Sequence, residues 1–146
     1  MEIPLGDIGS SKSDEELKQM PFIQMYLKKG CTDEQYELCA QKLTEAVANN
    51  LEVTLPRMVR VTFNEISESY MSVDGEDKDT IAPTLILQLG PNRSDAATAA
   101  CMRDAIEAVH ESFDVPKEKI RFYVHHLPGE NFAIGGVKKN FNEKVK

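Results

Sequence analysis

The sequence predicts an α/β (α+β) domain of two tandem β-α-β units, whose four strands form one sheet with two helices on one face. Three observations predict it. Two stretches of the chain repeat one another in motif and spacing, an amphipathic helical pattern follows each, and an alternating strand pattern follows each helix.

The first copy opens at Pro21 with PFIQMYLKKGCTDEQ, and the second at Pro83 with PTLILQLGPNRSDAA. Each passes from proline into a short apolar run, turns through glycine or asparagine, and reaches a Ser/Thr-Asp pair. Thr32 lies 11 positions after Pro21, and Ser94 lies 11 after Pro83. Both are good helix N-caps, because their oxygens accept from backbone N–H groups that the first helical turn leaves unpaired. Gln35 completes a capping box with Thr32. In the first helix Tyr36, Cys39, Ala40, Leu43, Ala46 and Val47 recur at helical spacing. In the second, Cys101, Met102, Ala105, Ile106, Val109 and Phe113 do the same. Each helix is expected to end near a proline, Pro56 or Pro116, where continuing would lose a hydrogen bond and clash.

A strand follows each helix. Val59, Val61 and Phe63 alternate with Arg60, Thr62 and Asn64; Ile120, Phe122 and Val124 alternate with Arg121, Tyr123 and His125. A period of two gives one buried and one polar face. Inside each unit the helical crossover requires parallel strands and a right-handed connection. With both helices on one side, the other sheet face is too apolar to stand in water, so self-association is expected to cover it.

The domain is expected over residues 21–136, with repeat one at 21–75 and repeat two at 83–136. Residues 64–82 link the copies through an acidic loop from Asp74 to Asp79. Residues 1–20 are polar, with a short helical pattern from Ser13 to Met20, and read as a mobile extension; residues 137–146 read as a basic, solvated tail. The net charge of -7 argues against a nucleic-acid partner, which needs clustered Lys and Arg. Cys31, Cys39 and Cys101 are odd in number and lack a C-x-x-C, which speaks against a disulfide framework or a zinc site. His125 and His126 are neighbours on a strand, so they point to opposite faces and cannot chelate one metal. No stretch is apolar enough to span a membrane, and the first twenty residues lack a signal-peptide core. A cytoplasmic protein with reduced thiols is the expectation.

These motifs resemble the tautomerase superfamily. From Pro21 through Arg60 the chain is similar to the 4-oxalocrotonate tautomerase (4-OT) unit. The second copy is similar again and ends in Phe132-Ala133-Ile134-Gly135-Gly136, close to a terminal F-G-I-G-G. The fused layout, with Met71-Ser72-Val73-Asp74-Gly75 at the join and Val115-Pro116-Lys117 before the last strand, resembles the macrophage migration inhibitory factor family. The resemblance implies a homotrimer acting without cofactor or metal as a keto–enol tautomerase of small 2-oxo acids such as phenylpyruvate, or of dopachrome-like substrates. It also implies an alternative: a non-catalytic, cytokine-like trimer that binds a receptor protein and leaves the cell without a signal peptide. A third reading, a superfamily decarboxylase or hydratase-dehalogenase, is disfavoured because the arginine pair of those enzymes is missing from the third strand.

By the same resemblance Pro21 is the general base. A free α-amino group has a pKa of about 7.7–8.0, and an apolar pocket with nearby cations lowers it. A base near the operating pH moves a proton on carbon efficiently. In this chain Met20 precedes Pro21, and an amide nitrogen is not a usable base; Met-Pro is, however, a pattern from which an initiator methionine is removed. Otherwise Pro21 is a strand-start proline, as Pro83 is. Glu52-Val53-Thr54-Leu55 stands where relatives of the inhibitory-factor type carry a carboxylate-binding lysine. Arg60 stands where 4-OT-type enzymes bind substrate, Arg121 matches it in the second copy, and Arg93 matches their arginine before the helix, which Cys31 replaces in the first. A guanidinium pairs with a carboxylate in bidentate fashion, which suits a 2-oxo acid. Phe132 is a candidate apolar wall, and Tyr123 shares a strand face with Arg121.

Overall fold

The computed structural model describes residues 21–52, 54–75, 81–91, 93–128, 131–135 and 137–138. The readings made for residues 1–20 and 139–146, and for most of the acidic loop, lie outside the described residues.

Strand β1 (Phe22–Lys28) leads to helix α1 (Asp33–Asn50), a 3-10 turn (Pro56–Met58) and strand β2 (Arg60–Ile66). The second unit repeats the order: β3 (Thr84–Leu89), α2 (Asp95–Phe113), a 3-10 turn (Lys117–Lys119) and β4 (Arg121–His126). Both helices begin where the caps place them. Thr32 Oγ1 accepts from the Gln35 N–H at 3.2 Å while Gln35 Oε1 accepts from the Thr32 N–H at 2.8 Å, and Ser94 Oγ accepts from the Ala97 N–H at 3.1 Å. Helix α2 stops at Asp114 in the left-handed region (φ 55), two residues before Pro116. Strand β2 runs to Ile66, so the link between the units starts later than Asn64.

The sheet order is β2-β1-β3-β4. β1 runs parallel to β2, and β3 parallel to β4, as a crossover helix demands. β1 and β3 meet antiparallel at the centre, with Phe22 opposite Gln88 and Tyr26 opposite Thr84. The two units are therefore related end over end, and Pro21 and Pro83 lie at opposite ends of the sheet. Six strand residues at about 3.3 Å each put roughly 20 Å between those ends.

Alternation sorts the two faces. Ile23, Met25 and Leu27 of β1 and Leu85, Leu87 and Leu89 of β3 are fully buried against Cys39, Leu43 and Val47 of α1 and Cys101, Ala105 and Val109 of α2. The opposite face carries Gln24, Tyr26, Thr62, Ile86, Gln88 and Tyr123, all half-buried or exposed. No helix among the described residues is long and apolar enough to cross a membrane.

One feature departs from expectation. Residues 137–138 are not simply tail: Val137–Lys138 (β6) pairs antiparallel with Ala133–Ile134 (β5), turning at Gly135 with φ 59. The ordered fold thus runs past residue 136. Only glycine enters that left-handed region without steric cost.

Candidate active site

Pro21 sits at the head of β1, its ring fully buried and its carbonyl accepting from the Arg60 N–H at 3.1 Å. The second repeat has the same bond, from the Arg121 N–H to the Pro83 carbonyl at 3.1 Å. The parallel pairing of first and last strand in each unit produces both. Just before β2, the 3-10 turn brings Arg57 and Met58 beside Arg60. That turn is closed by the Met58 N–H on the Leu55 carbonyl at 2.9 Å and the Val59 N–H on the Pro56 carbonyl at 3.1 Å.

A cleft of ≈ 980 Å³ opens over Pro21. It is lined by Pro21 and Phe22 at the head of β1, by Arg57 and Met58 of the turn with Arg60, Val61 and Thr62 of β2, and by Phe132, Ala133 and Ile134 at the start of the terminal hairpin. Two exposed arginines therefore share a half-apolar pocket that has no carboxylate among its described lining residues. Such a pocket attracts a small organic anion, holds its carboxylate, and disfavours an ammonium ion beside it.

Of the six residues singled out from sequence, the cleft unites Pro21, Arg60 and Phe132. It does not take in the other three within one chain. Arg121 heads β4 opposite Thr84, at the far end of the sheet, and its Nη1 donates to the Glu118 carbonyl at 2.7 Å. Tyr123 lies mid-strand opposite Ile86, 57% exposed on the face without helices. Arg93 is buried: its Nη1 donates to the Glu52 carbonyl and to Thr54 Oγ1, the latter at 3.0 Å. Burial lowers the pKa of that guanidinium, with Glu52 opposing. The antiparallel union of the units explains the first two displacements, and a buried set of acceptors explains the third.

Arg57 was missed by the sequence reading. Its signal is there, an Arg-x-x-Arg spacing just after Pro56, but only the 3-10 turn carries Arg57 round to the side of Arg60. The three cysteines lie away from the cleft. Burial pushes the Cys39 and Cys101 thiols up to about 12, and burial followed by Glu65 raises Cys31. Among the described residues no group of three His, Cys, Asp or Glu side chains is placed to hold a metal ion.

No family model matches the chain. Over 57 residues, 39% of this chain and 89% of the other, it is 40% identical to the 2-hydroxymuconate tautomerase of Pseudomonas sp. (strain CF600). Its fold superposes on R7 fused 4-OT, a wild-type asymmetric trimer, with a TM-score of 0.76 at 23% identity, covering 81% of this chain and 95% of that one. It also superposes on Pt0534 inactivated by 2-oxo-3-pentynoate, with a TM-score of 0.74 at 15% identity, covering 79% of this chain and 92% of that one.

Proposed function

This chain belongs to the tautomerase superfamily, and from that premise we propose that it is a cofactor-independent keto–enol tautomerase of small 2-oxo acids, phenylpyruvate among them. The observation that carries the reading is a buried proline in a cleft lined by two arginines and by no described carboxylate. When Pro21 is the first residue, its secondary amine has a lone pair. That nitrogen takes a proton from the carbon beside the substrate carbonyl and hands it to the carbonyl oxygen, which becomes the enol hydroxyl and leaves the amine free again; the reverse path returns the proton to carbon. Arg60 and Arg57 hold the carboxylate, and Phe132 keeps water from the amine. Burial of the ring and both guanidiniums favour the neutral amine, so activity rises with pH through the amine pKa, below its ordinary value of about 7.7–8.0.

The test compares two proteins, one starting at Met1 and one at Pro21, in an absorbance assay of phenylpyruvate enolisation. The Pro21 form should be active, and its Pro21→Gly variant much weaker. Equal rates for the two starts would remove Pro21 as the base. 2-Oxo-3-pentynoate has a triple bond conjugated to its ketone, open to attack by an amine, so it should inactivate the Pro21 form and leave its adduct on that residue.

A trimer is part of this reading, supported by the half-apolar sheet face and by the trimeric fused 4-OT. Sedimentation should give three times 16.4 kDa; a monomer refutes it. The peptide bond from Met20 to Pro21 favours a second reading, a binding trimer of the macrophage migration inhibitory factor type. Mass spectrometry of the endogenous amino terminus separates the two, since an intact Met1 chain fits only the binder. A cytoplasmic location, or export without a signal peptide under the second reading, completes the proposal.

A further inference from the structure

Ten positions after its opening proline, each repeat reaches the residue before its helix cap: Cys31 in the first and Arg93 in the second. Arg93 is 9% exposed. A guanidinium buried this far needs acceptors for its N–H groups. It finds them across the repeat boundary, in the stretch between α1 and the 3-10 turn of repeat one. Nη1 reaches the Glu52 carbonyl and Thr54 Oγ1, and the Thr54 hydroxyl in turn donates to the Glu52 carbonyl at 3.1 Å. Beside it the Ser94 N–H donates to Glu52 Oε2 at 3.3 Å. Thr54 itself is 7% exposed, so the Arg93–Thr54 contact at the heart of this cluster is buried, while Glu52 and Ser94 lie nearer the surface. Two residues beyond Thr54 begins the turn Pro56–Met58, which delivers Arg57 and Met58 to the cleft.

We propose that Arg93 is a positioning residue of the cleft: from the second repeat it clamps Glu52 and Thr54 of the first, and so fixes where Arg57 and Met58 stand. Arg93 does not touch the substrate. It acts through Arg57, and this role rests on the keto-acid reading of the cleft. The device runs one way. Cys31, in the matching place, has only a weak S–H donor and no fork of N–H groups. The turn that serves the Pro21 cleft is therefore held by the other repeat, while Cys31 cannot hold the Lys117–Lys119 turn in return. The asymmetry has a functional logic, because a guanidinium holds a carboxylate in bidentate fashion only when it is kept in the right place and orientation.

Two variants test the clamp: Arg93→Met, which keeps the apolar stem and removes the donors, and Thr54→Val, which removes the hydroxyl and keeps the shape. The first measurement needs no activity. Native-state hydrogen exchange is followed at the Met58 and Val59 amides, bonded inside the clamped turn, and at the Lys119 and Ile120 amides, bonded to Pro116 and Lys117 in the matching turn of repeat two. Exchange should quicken about fivefold at the first pair, as expected for one lost hydrogen bond, and stay unchanged at the second. No change at either pair, or equal quickening at both, overturns the proposal. Should Arg93→Met fail to fold, Thr54→Val decides by the same criterion.

The second measurement uses the Pro21 form with phenylpyruvate. Arg93→Met should raise KM about tenfold, with kcat within about twofold and the pH profile unmoved, and the double variant with Arg57→Ala should be no worse than Arg57→Ala alone. Multiplying losses, or a fall in kcat at constant KM, refutes action through Arg57. If the unsubstituted protein turns over no keto acid, the proposed activity falls, while the exchange data still decide whether Arg93 clamps the turn.

Discussion

Tyr36 ties helix α1 to strand β2, the strand that begins with Arg60, and removing its hydroxyl isolates one bond. The phenol donates to Glu65 Oε1 at 2.7 Å. Its ring stands 4.9 Å from that of Phe63 and 5.7 Å from that of Phe113, contacts that Tyr36→Phe keeps. A hydrogen bond to a charged group contributes about 1.5–3 kcal/mol, and solvent at the Glu65 end reduces this to about 1–2 kcal/mol. For a chain of this size the melting temperature should fall by about 3–6 °C. The pH dependence adds a sharper criterion. Burial first, and the bond to Glu65 second, raise the Tyr36 pKa above the ordinary value of about 10. A raised folded-state pKa means a contribution fully present below the unfolded value and lost as pH climbs through the folded one. Urea unfolding of both proteins at one fixed concentration should therefore show a constant gap from pH 7 to 9, closing above pH 10. No gap at pH 7, or a gap that widens in alkali, would mean that the Tyr36–Glu65 bond does not stabilise the fold.

Thiol labelling at pH 8 should separate the cysteines: Cys39 and Cys101, at about 12, hold roughly one thiolate in ten thousand, while Cys31 is half-buried and within reach of a reagent. One thiol should react in the native protein and two more only on unfolding; three fast thiols would mean that the core is open. Leu87→Ala, at a fully buried site on a central strand, should cost about 2–5 kcal/mol in urea titration. Arg60→Gln in the Pro21 form should raise KM for phenylpyruvate about 10- to 100-fold with a smaller change in kcat, as loss of a charged hydrogen-bond donor requires. An unchanged KM would take Arg60 out of the site.

What near neighbours encode could be read directly along the chain. Thr32 with Gln35, and Ser94, set the helix starts because capping acts within three residues. Cys39, Leu43 and Val47, like Cys101, Ala105 and Val109, announced their buried faces by spacing alone. Repetition at Pro21 and Pro83 gave two equal units, and the crossover gave parallel pairs within each; that much also placed Arg60 beside Pro21. How the units join became visible only in the folded sheet. β1 and β3 could meet in either direction without altering a single local pattern, and their antiparallel pairing sends Arg121 to the far end of the sheet from Pro21. Only packing showed that Arg93 faces Glu52 and Thr54 and not the cleft, that the 3-10 turn carries Arg57 to the cleft, and that a hairpin at Ala133–Ile134 lines the pocket. Periodicity reports which side of an element is buried; the partner it meets there depends on residues tens of positions away, which no local pattern contains.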